Sequence, residues 1–178
     1  MAIDSEPLSR LRQLDPQALA SVHDKHFPEL YRYARYRLGD SDAAEDAASE
    51  TFVRLLESLR TGRGPRSSTR GWLFGTLRHI VDSHYRAAFA RGSEAFQGEA
   101  EGDDAPDAAV EAGERQREVR RAMRYLTSEQ QHVLALRFGG EYTLEETAEM
   151  MGRKVNAIKA LQFRALGTLR RHLAQESE

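Results

Sequence analysis

Apolar residues recur at helical spacing through most of the chain. From Ala18 to about Leu38, the positions Leu19, Val22, Phe27, Leu30, Tyr31, Ala34 and Leu38 form one face, with Pro28 marking a new start or a kink. Gly39-Asp40-Ser41 breaks the pattern, and Ser41 or Asp42 can cap a helix from about Ala43 to Leu59. Its buried face is Ala44, Ala47, Ala48, Thr51, Phe52, Leu55, Leu56 and Leu59. Trp72 opens a further helix with Leu73, Leu77, Ile80, Val81 and Tyr85 inward. Helical pattern resumes near Glu114, where Val119, Ala122, Met123 and Leu126 face a core. A fresh start at Thr127 or Ser128 carries Val133, Leu134, Leu136 and Phe138. The fold class expected is all-α: two small helical domains, residues 18–91 and 114–174, joined by a flexible acidic linker at 92–113. Residues 1–17 form an N-terminal tail in which Leu8, Leu11 and Leu14 make at most one amphipathic turn before Pro16.

The stretch from Thr143 to Leu173 has the sharpest pattern. Thr143 and Glu146 are spaced as a capping box, which satisfies the free N–H groups of a helix start. Leu144, Thr147, Ala148 and Met151 follow at helical spacing, and Gly152 suits a left-handed helix stop. A second helix begins within a few residues, with Val155, Ile158, Leu161, Ala165, Leu166, Leu169 and Leu173 on one broad face. A short helix, a tight glycine turn and a second helix make a helix-turn-helix. The opposite face of the second helix holds Asn156, Lys159, Ala160, Phe163, Arg164, Gly167, Arg170 and Arg171, with no acid among them. Such a face can reach base edges and phosphates, and a phenyl ring can touch a thymine methyl. A basic helix packing on a partner protein is the structural alternative.

Composition narrows the class. The 178 residues are 40% hydrophobic, and no apolar run approaches membrane-span length. The start, MAIDSEPLSRLRQL, lacks the apolar core of a signal peptide, so a cytoplasmic location is expected. The absence of cysteine excludes disulfides and thiolate metal sites. The net charge of -2 conceals an asymmetry. Gly92 to Glu114 carries eight acids and no base, between segments of net +2 and +4, which suggests nucleic-acid contact on either side of a solvated connector.

Three further features have competing interpretations. The loop RTGRGPRSSTRG places Arg60, Arg63, Arg66 and Arg70 among turn formers; it is either a solvated connection or a phosphate grip. Tyr31, Tyr33 and Tyr36 interleave with Arg32, Arg35 and Arg37, which suits single-stranded nucleic acid or, more simply, a core stripe beside a basic face. His79, Asp82 and His84 suggest a metal, but histidines five apart share a helical face poorly, so no metal and no cofactor are expected.

Taken in order, LYRYARYRLGDSDAAEDAASETFVRLLESL, TRGWLFGTLRHIVDSHYR and YLTSEQQHVLALRFGGEYTLEETAEMMGRKVNAIKALQFRAL resemble the extracytoplasmic-function sigma factors of bacterial RNA polymerase. The first two resemble region two of that family and the third its region four, so the likeness covers about residues 20–91 and 114–173. It implies a non-enzymatic subunit that binds core polymerase and promoter DNA and is held by an anti-sigma factor, with no membrane insertion of its own. Asp46, Ser49 and Glu50 would dock on polymerase. The loop arginines Arg60, Arg63, Arg66 and Arg70, with Trp72, His79, Asp82 and Arg86, would handle the minus-ten element. Asn156, Lys159, Ala160, Phe163 and Arg164 would read the minus-thirty-five element.

The chain departs from the family's usual residues at six positions. Ser49 stands for the usual Gln and His79 for the usual Asn. Ala160 and Leu161 stand for Ser and Arg, Gln162 for the following Leu, and Ser128 for a common Pro. The minus-ten and minus-thirty-five preferences therefore do not transfer. Two rival classes follow from the residues alone: a stand-alone helix-turn-helix regulator, for which the chain offers no clear dimerisation segment, and a helical enzyme using His79, Asp82 or His84, for which no convergent cluster is visible.

Overall fold

A computed structural model of the chain describes residues 8–90 and 107–176. Among them the chain forms helices α1 (Leu8–Arg12), α2 (Pro16–Leu38), α3 (Ser41–Arg60), α4 (Thr69–Ala90), α5 (Asp107–Met123), α6 (Ser128–Leu134), α7 (Leu144–Met151) and α8 (Val155–Glu176). No strand occurs among the described residues. The acidic linker expected at 92–113 lies mostly outside the described residues, and its last part, from Asp107, is the beginning of α5.

The starts and stops follow the local chemistry. Asp15 caps α2 by accepting from the N–H groups of Gln17 and Ala18, with Pro16 at the first helical position, where a missing N–H costs nothing. Pro28 does not restart α2, which runs unbroken through it to a left-handed stop at Gly39 (φ 75°). Asp40, one residue before the expected caps, closes the start of α3. Thr127 with Gln130, and Thr143 with Glu146, form reciprocal capping boxes. Gly152 ends α7 at φ 62°. α4 begins three residues earlier than Trp72 suggested, at Thr69.

The first module is a bundle of α2, α3 and α4 around Val22, Leu30, Tyr33, Leu55, Leu73, Phe74, Leu77 and Ile80. The N-terminal segment is more than a tail: Leu11 is fully buried in this core, and Arg12 donates to the carbonyls of Pro65 and Arg66 at 3.3 and 3.4 Å. The second module packs α5, α6 and α7 on α8 around Ala122, Val133, Leu134, Ile158, Leu161 and Ala165.

One correction concerns Phe138, expected in the core and 51% exposed. After Leu134 the chain widens into a π-helical turn over Ala135–Gly139. The extra residue in that turn shifts the helical register, so Leu136 stays buried while Phe138 swings out. The same turn brings Ala135 and Leu136, with Tyr142 and Met150, into the core of the first module. The two modules are thus packed together.

Candidate nucleic-acid interface

The geometry of a helix-turn-helix is complete. The turn Gly152–Lys154 is fixed by the N–H groups of Gly152 and Arg153 reaching back to Glu149 and Ala148. α8 then buries Ile158, Leu161, Ala165 and Leu169. Every residue assigned to reading duplex DNA — Asn156, Lys159, Ala160, Phe163 and Arg164 — is exposed. Phe163 is 79% exposed, the most exposed large apolar side chain among the described residues. Behind this face, Arg137 donates to Gln162 Oε1 at 3.0 Å and to the carbonyl of Tyr142, tying α8 to the π turn.

On α3, Asp46 and Ser49 are exposed and Glu50 is half-buried, paired with Arg54 at 2.5 Å. Beyond them along α3, one and two turns after Ser49, lies an apolar strip that the sequence pattern did not isolate. Val53 is 53% exposed, and Leu56, expected inside, is 37% exposed. Phe52, also expected inside, is only half-buried, stacked with Phe27 at 6.3 Å and tilted against His23 at 4.7 Å. An apolar centre with a polar rim has the anatomy of a protein-docking surface.

The basic loop divides in two. Arg60, Arg63 and Arg66 are exposed. Arg70 instead sits in the first turn of α4, paired with Glu29 at 2.9 Å and lying 4.4 Å over the Tyr142 ring. On α4, His79 and Arg86 are exposed, while Trp72 and Asp82 are half-buried. His79 lines a cleft with Arg78, Glu129, His132 and Arg153. Among the described residues no three acidic or histidine side chains gather as a metal site would require.

Asp82 is the hub of a buried polar network. It accepts from Arg37 at 2.9 Å and from the Ser128 hydroxyl at 2.5 Å, and that hydroxyl accepts from Arg78 at 3.0 Å. Burial alone would raise the Asp82 pKa, but these hydrogen bonds and the Arg37 charge outweigh it and hold the carboxyl below its ordinary range. Arg37 also donates to Gln131 at 2.7 Å and to the Tyr33 hydroxyl at 3.0 Å. With its acceptor side filled, Tyr33 donates its own proton to His132 Nδ1, 2.6 Å away. His132 is accordingly neutral, its pKa pushed down to about 3 by burial and by the charges of Arg78 and Arg37. The interleaved Tyr and Arg residues of α2 are therefore mainly structural: Tyr33 and Arg37 are buried, and only Arg32 is fully exposed.

Two family models fall on these two modules. Sigma-70 region 2 matches residues 22–89, and Sigma-70, region 4 matches residues 122–171. Whole-chain relatives agree. The chain is 31% identical over 164 residues to the ECF RNA polymerase sigma factor ShbA of Streptomyces griseus, covering 85% of this chain and 83% of that one. The chain belongs to the sigma-70 family.

This sigma factor is also 32% identical over 176 residues to the ECF RNA polymerase sigma factor BldN of Streptomyces coelicolor, covering 97% of itself and 66% of the relative, just under two thirds. Its fold is shared with CnrH, solved in complex with the cytosolic domain of CnrY, at a TM-score of 0.62 and 20% identity over 94% of each chain. As an ECF sigma factor the protein is a transcription-initiation factor and not an enzyme. No described helix is long and apolar enough to cross a membrane. Two features of this sigma factor lay beyond the sequence pattern. Val53 and Leu56 are separated from the buried face of α3 only by the exact rotation of the helix. The Arg37–Asp82–Ser128 network joins residues 45 and 46 positions apart, which no local spacing encodes.

Proposed function

We propose that this sigma factor binds core RNA polymerase, recognises minus-ten and minus-thirty-five promoter elements, and supports melting of the promoter DNA. Asp46, Ser49 and Glu50, with the apolar strip of Val53 and Leu56 that follows them on α3, form the docking surface for core polymerase. Arg60, Arg63 and Arg66, with Trp72, His79, Asp82 and Arg86 on α4, hold the melted minus-ten strand, and Arg70 joins them once released from its ion pairs. Unstacking a base costs a few kcal/mol, which contacts in this module offset. Asn156, Lys159, Ala160, Phe163 and Arg164 enter the major groove at the minus-thirty-five element. An anti-sigma factor is the expected protein partner, and the site of action is wherever polymerase meets the chromosome.

The observation that supports this most directly is the face of α8. A phenyl ring 79% exposed on a helix-turn-helix, beside Lys159 and Arg164 and without an acid, suits contact with DNA far better than contact with water. The test is transcription in vitro with core polymerase and this protein over a pool of genomic DNA. Discrete starts that share spaced upstream elements are expected. Phe163→Ala should leave the fold intact and weaken discrimination at the minus-thirty-five element by about 1–3 kcal/mol. Core binding without starts, or tight duplex binding by the free protein alone, would count against the assignment.

A further inference from the structure

We propose that α1 is a brace for the basic loop between α3 and α4. Arg12, carried on α1, holds the loop backbone, and the loop then presents Arg63 and Arg66 to the melted minus-ten strand in a shape set beforehand. Arg12 is a positioning residue, acting through the loop. That role rests on the minus-ten assignment above and deepens it. α1 itself precedes the stretch matched by the region 2 family model, which begins at residue 22.

α1 can act in this way because it is itself anchored. A five-residue helix has no stability of its own in water, and α1 takes its place from its contacts. Leu11 is fully buried in the core of the first module, and Leu8 and Leu14 pack against the same core. The helix closes in a Schellman turn: the Asp15 N–H reaches the Arg10 carbonyl at 3.1 Å, and the Leu14 N–H reaches the Leu11 carbonyl at 2.9 Å. Leu14 sits at the left-handed position of that turn (φ 56°), where glycine is usual. Its side chain packs on the core, which a glycine could not do. An ion pair from Arg10 to Asp15 at 3.0 Å spans the same turn, and Asp15 is also the cap of α2. Arg12 therefore extends from a fixed support.

The ends of the loop are tied locally. The Arg63 N–H reaches the Ser58 carbonyl at 2.8 Å beside Gly62 (φ 69°), and the Ser68 hydroxyl accepts from the Gly71 N–H at 3.0 Å where α4 begins. The middle is tied at a distance. Pro65 is buried, and Gly64 lies so close to α3 that an added Cβ would stand 2.7 Å from Leu59 Cδ2. At this point the Arg12 Nη2 group is shared between the carbonyls of Pro65 and Arg66, at 3.3 and 3.4 Å. Donor and acceptors are 53 and 54 positions apart in the chain, so this tie is tertiary.

The sign of the brace points to its use. A guanidinium beside two loop arginines adds repulsion, and a neutral donor such as an amide would hold the same carbonyls without it. Because Arg12 bonds to neutral carbonyls, the loop keeps its full positive charge. Among the described residues neither Arg63 nor Arg66 has a carboxylate partner, whereas Arg70 is paired with Glu29. Arg12, Arg63 and Arg66 are all exposed and form a cationic edge on a held backbone, which fits a phosphate chain. A loop ordered in advance loses less conformational freedom when the strand binds, so more of the contact energy appears as affinity.

The chain has no cysteine, so Ser67→Cys in the exposed part of the loop takes a single nitroxide label. In the labelled full-length protein, Arg12→Ala should raise the mobility of the label in its electron paramagnetic resonance spectrum. With core polymerase, unlabelled Arg12→Ala should bind single-stranded oligonucleotides of the minus-ten element of a mapped promoter about three- to tenfold more weakly than the parent, the size of one lost hydrogen-bonded tie. Its affinity for core polymerase should not change, because the docking surface on α3 is untouched. Arg12→Met keeps the stem and removes the donor; it should match Arg12→Ala and takes its place if that variant does not fold.

Unchanged label mobility would overturn the brace, and weaker strand binding with unchanged mobility would make Arg12 a direct DNA contact instead. Raised mobility with unchanged strand binding would overturn the link to the promoter. Loss of the fold in both variants would make Arg12 structural and overturn its positioning role. The minus-ten assignment is checked separately: if the Arg63→Ala, Arg66→Ala double variant leaves strand binding unchanged, or the parent gives no promoter-directed starts, that assignment fails first and the function of the brace falls with it.

Discussion

At the scale of single residues, His132 carries the clearest consequence. Its folded pKa is near 3, by burial first and neighbouring positive charge second, whereas the unfolded chain titrates near 6.5. Between those values the unfolded state holds more protons than the folded one, so stability rises with pH. It is fully present above the unfolded value and is lost progressively as pH falls from about 7 toward 4. The urea midpoint should therefore drop between pH 7.5 and 5, and His132→Gln should flatten that dependence. An unchanged slope in the variant would assign the effect elsewhere. Asp82 acts in the same direction at lower pH: its depressed pKa gives stability above the ordinary carboxylate range that disappears on acidification. None of this was legible in the sequence. The pattern assigned no role to His132, and it placed Arg37 in a basic face beside a core stripe. Their burial depends on partners more than 90 residues away, Tyr33 with His132 and Arg37 with Gln131.

At the scale of elements, the long amphipathic helices were legible because burial of one face is written as a 3.6-residue period. The periods of α2, α3, α4 and α8, apart from Phe52 and Leu56 on α3, and the Thr143–Glu146 capping box appear as the sequence pattern implied, and at Thr127, expected only as a cap, Gln130 completes a second box. The π turn escaped, and α1 was legible only as a short amphipathic turn in a tail. The π turn differs from an α-helix by one residue in hydrogen-bond register, which rotates the side chains that follow, and Phe138 lies exposed within it. α1 spans five residues, too short for a period to declare itself, and such a helix is stable only through what it packs against. Leu11 supplies that packing, fully buried against the first module. Leu11→Ala should therefore destabilise the protein by about 2–5 kcal/mol, the range for a large core truncation. If residues 8–12 were a dispensable tail, the change would stay within about 0.5 kcal/mol, as for ordinary surface positions. Urea unfolding of the variant separates the two outcomes.

At the scale of the whole molecule, the sequence pointed to two helical modules in order and said nothing of how they meet. An acidic, glycine-containing segment between two periodic regions reads as a boundary, and hydrophobic periodicity cannot say whether two buried faces belong to one core or two. Tyr142 and Met150, which come from the second module, lie in the core of the first, and the Tyr142 ring meets Phe74 edge-on at 5.8 Å. Cores joined in this way should melt together. The chain holds a single tryptophan, Trp72, half-buried against the first module, so its fluorescence follows that module, while far-ultraviolet dichroism follows the helices of both. The two signals should give the same midpoint in urea, as a cooperative unit requires. Tyr142→Ala removes a ring that is 5% exposed at the junction, costs about 3 kcal/mol, and should split the signals, with dichroism falling first as the second module loses its support. Separate midpoints in the parent chain would mean that the modules fold as independent units and that their contact contributes little to stability.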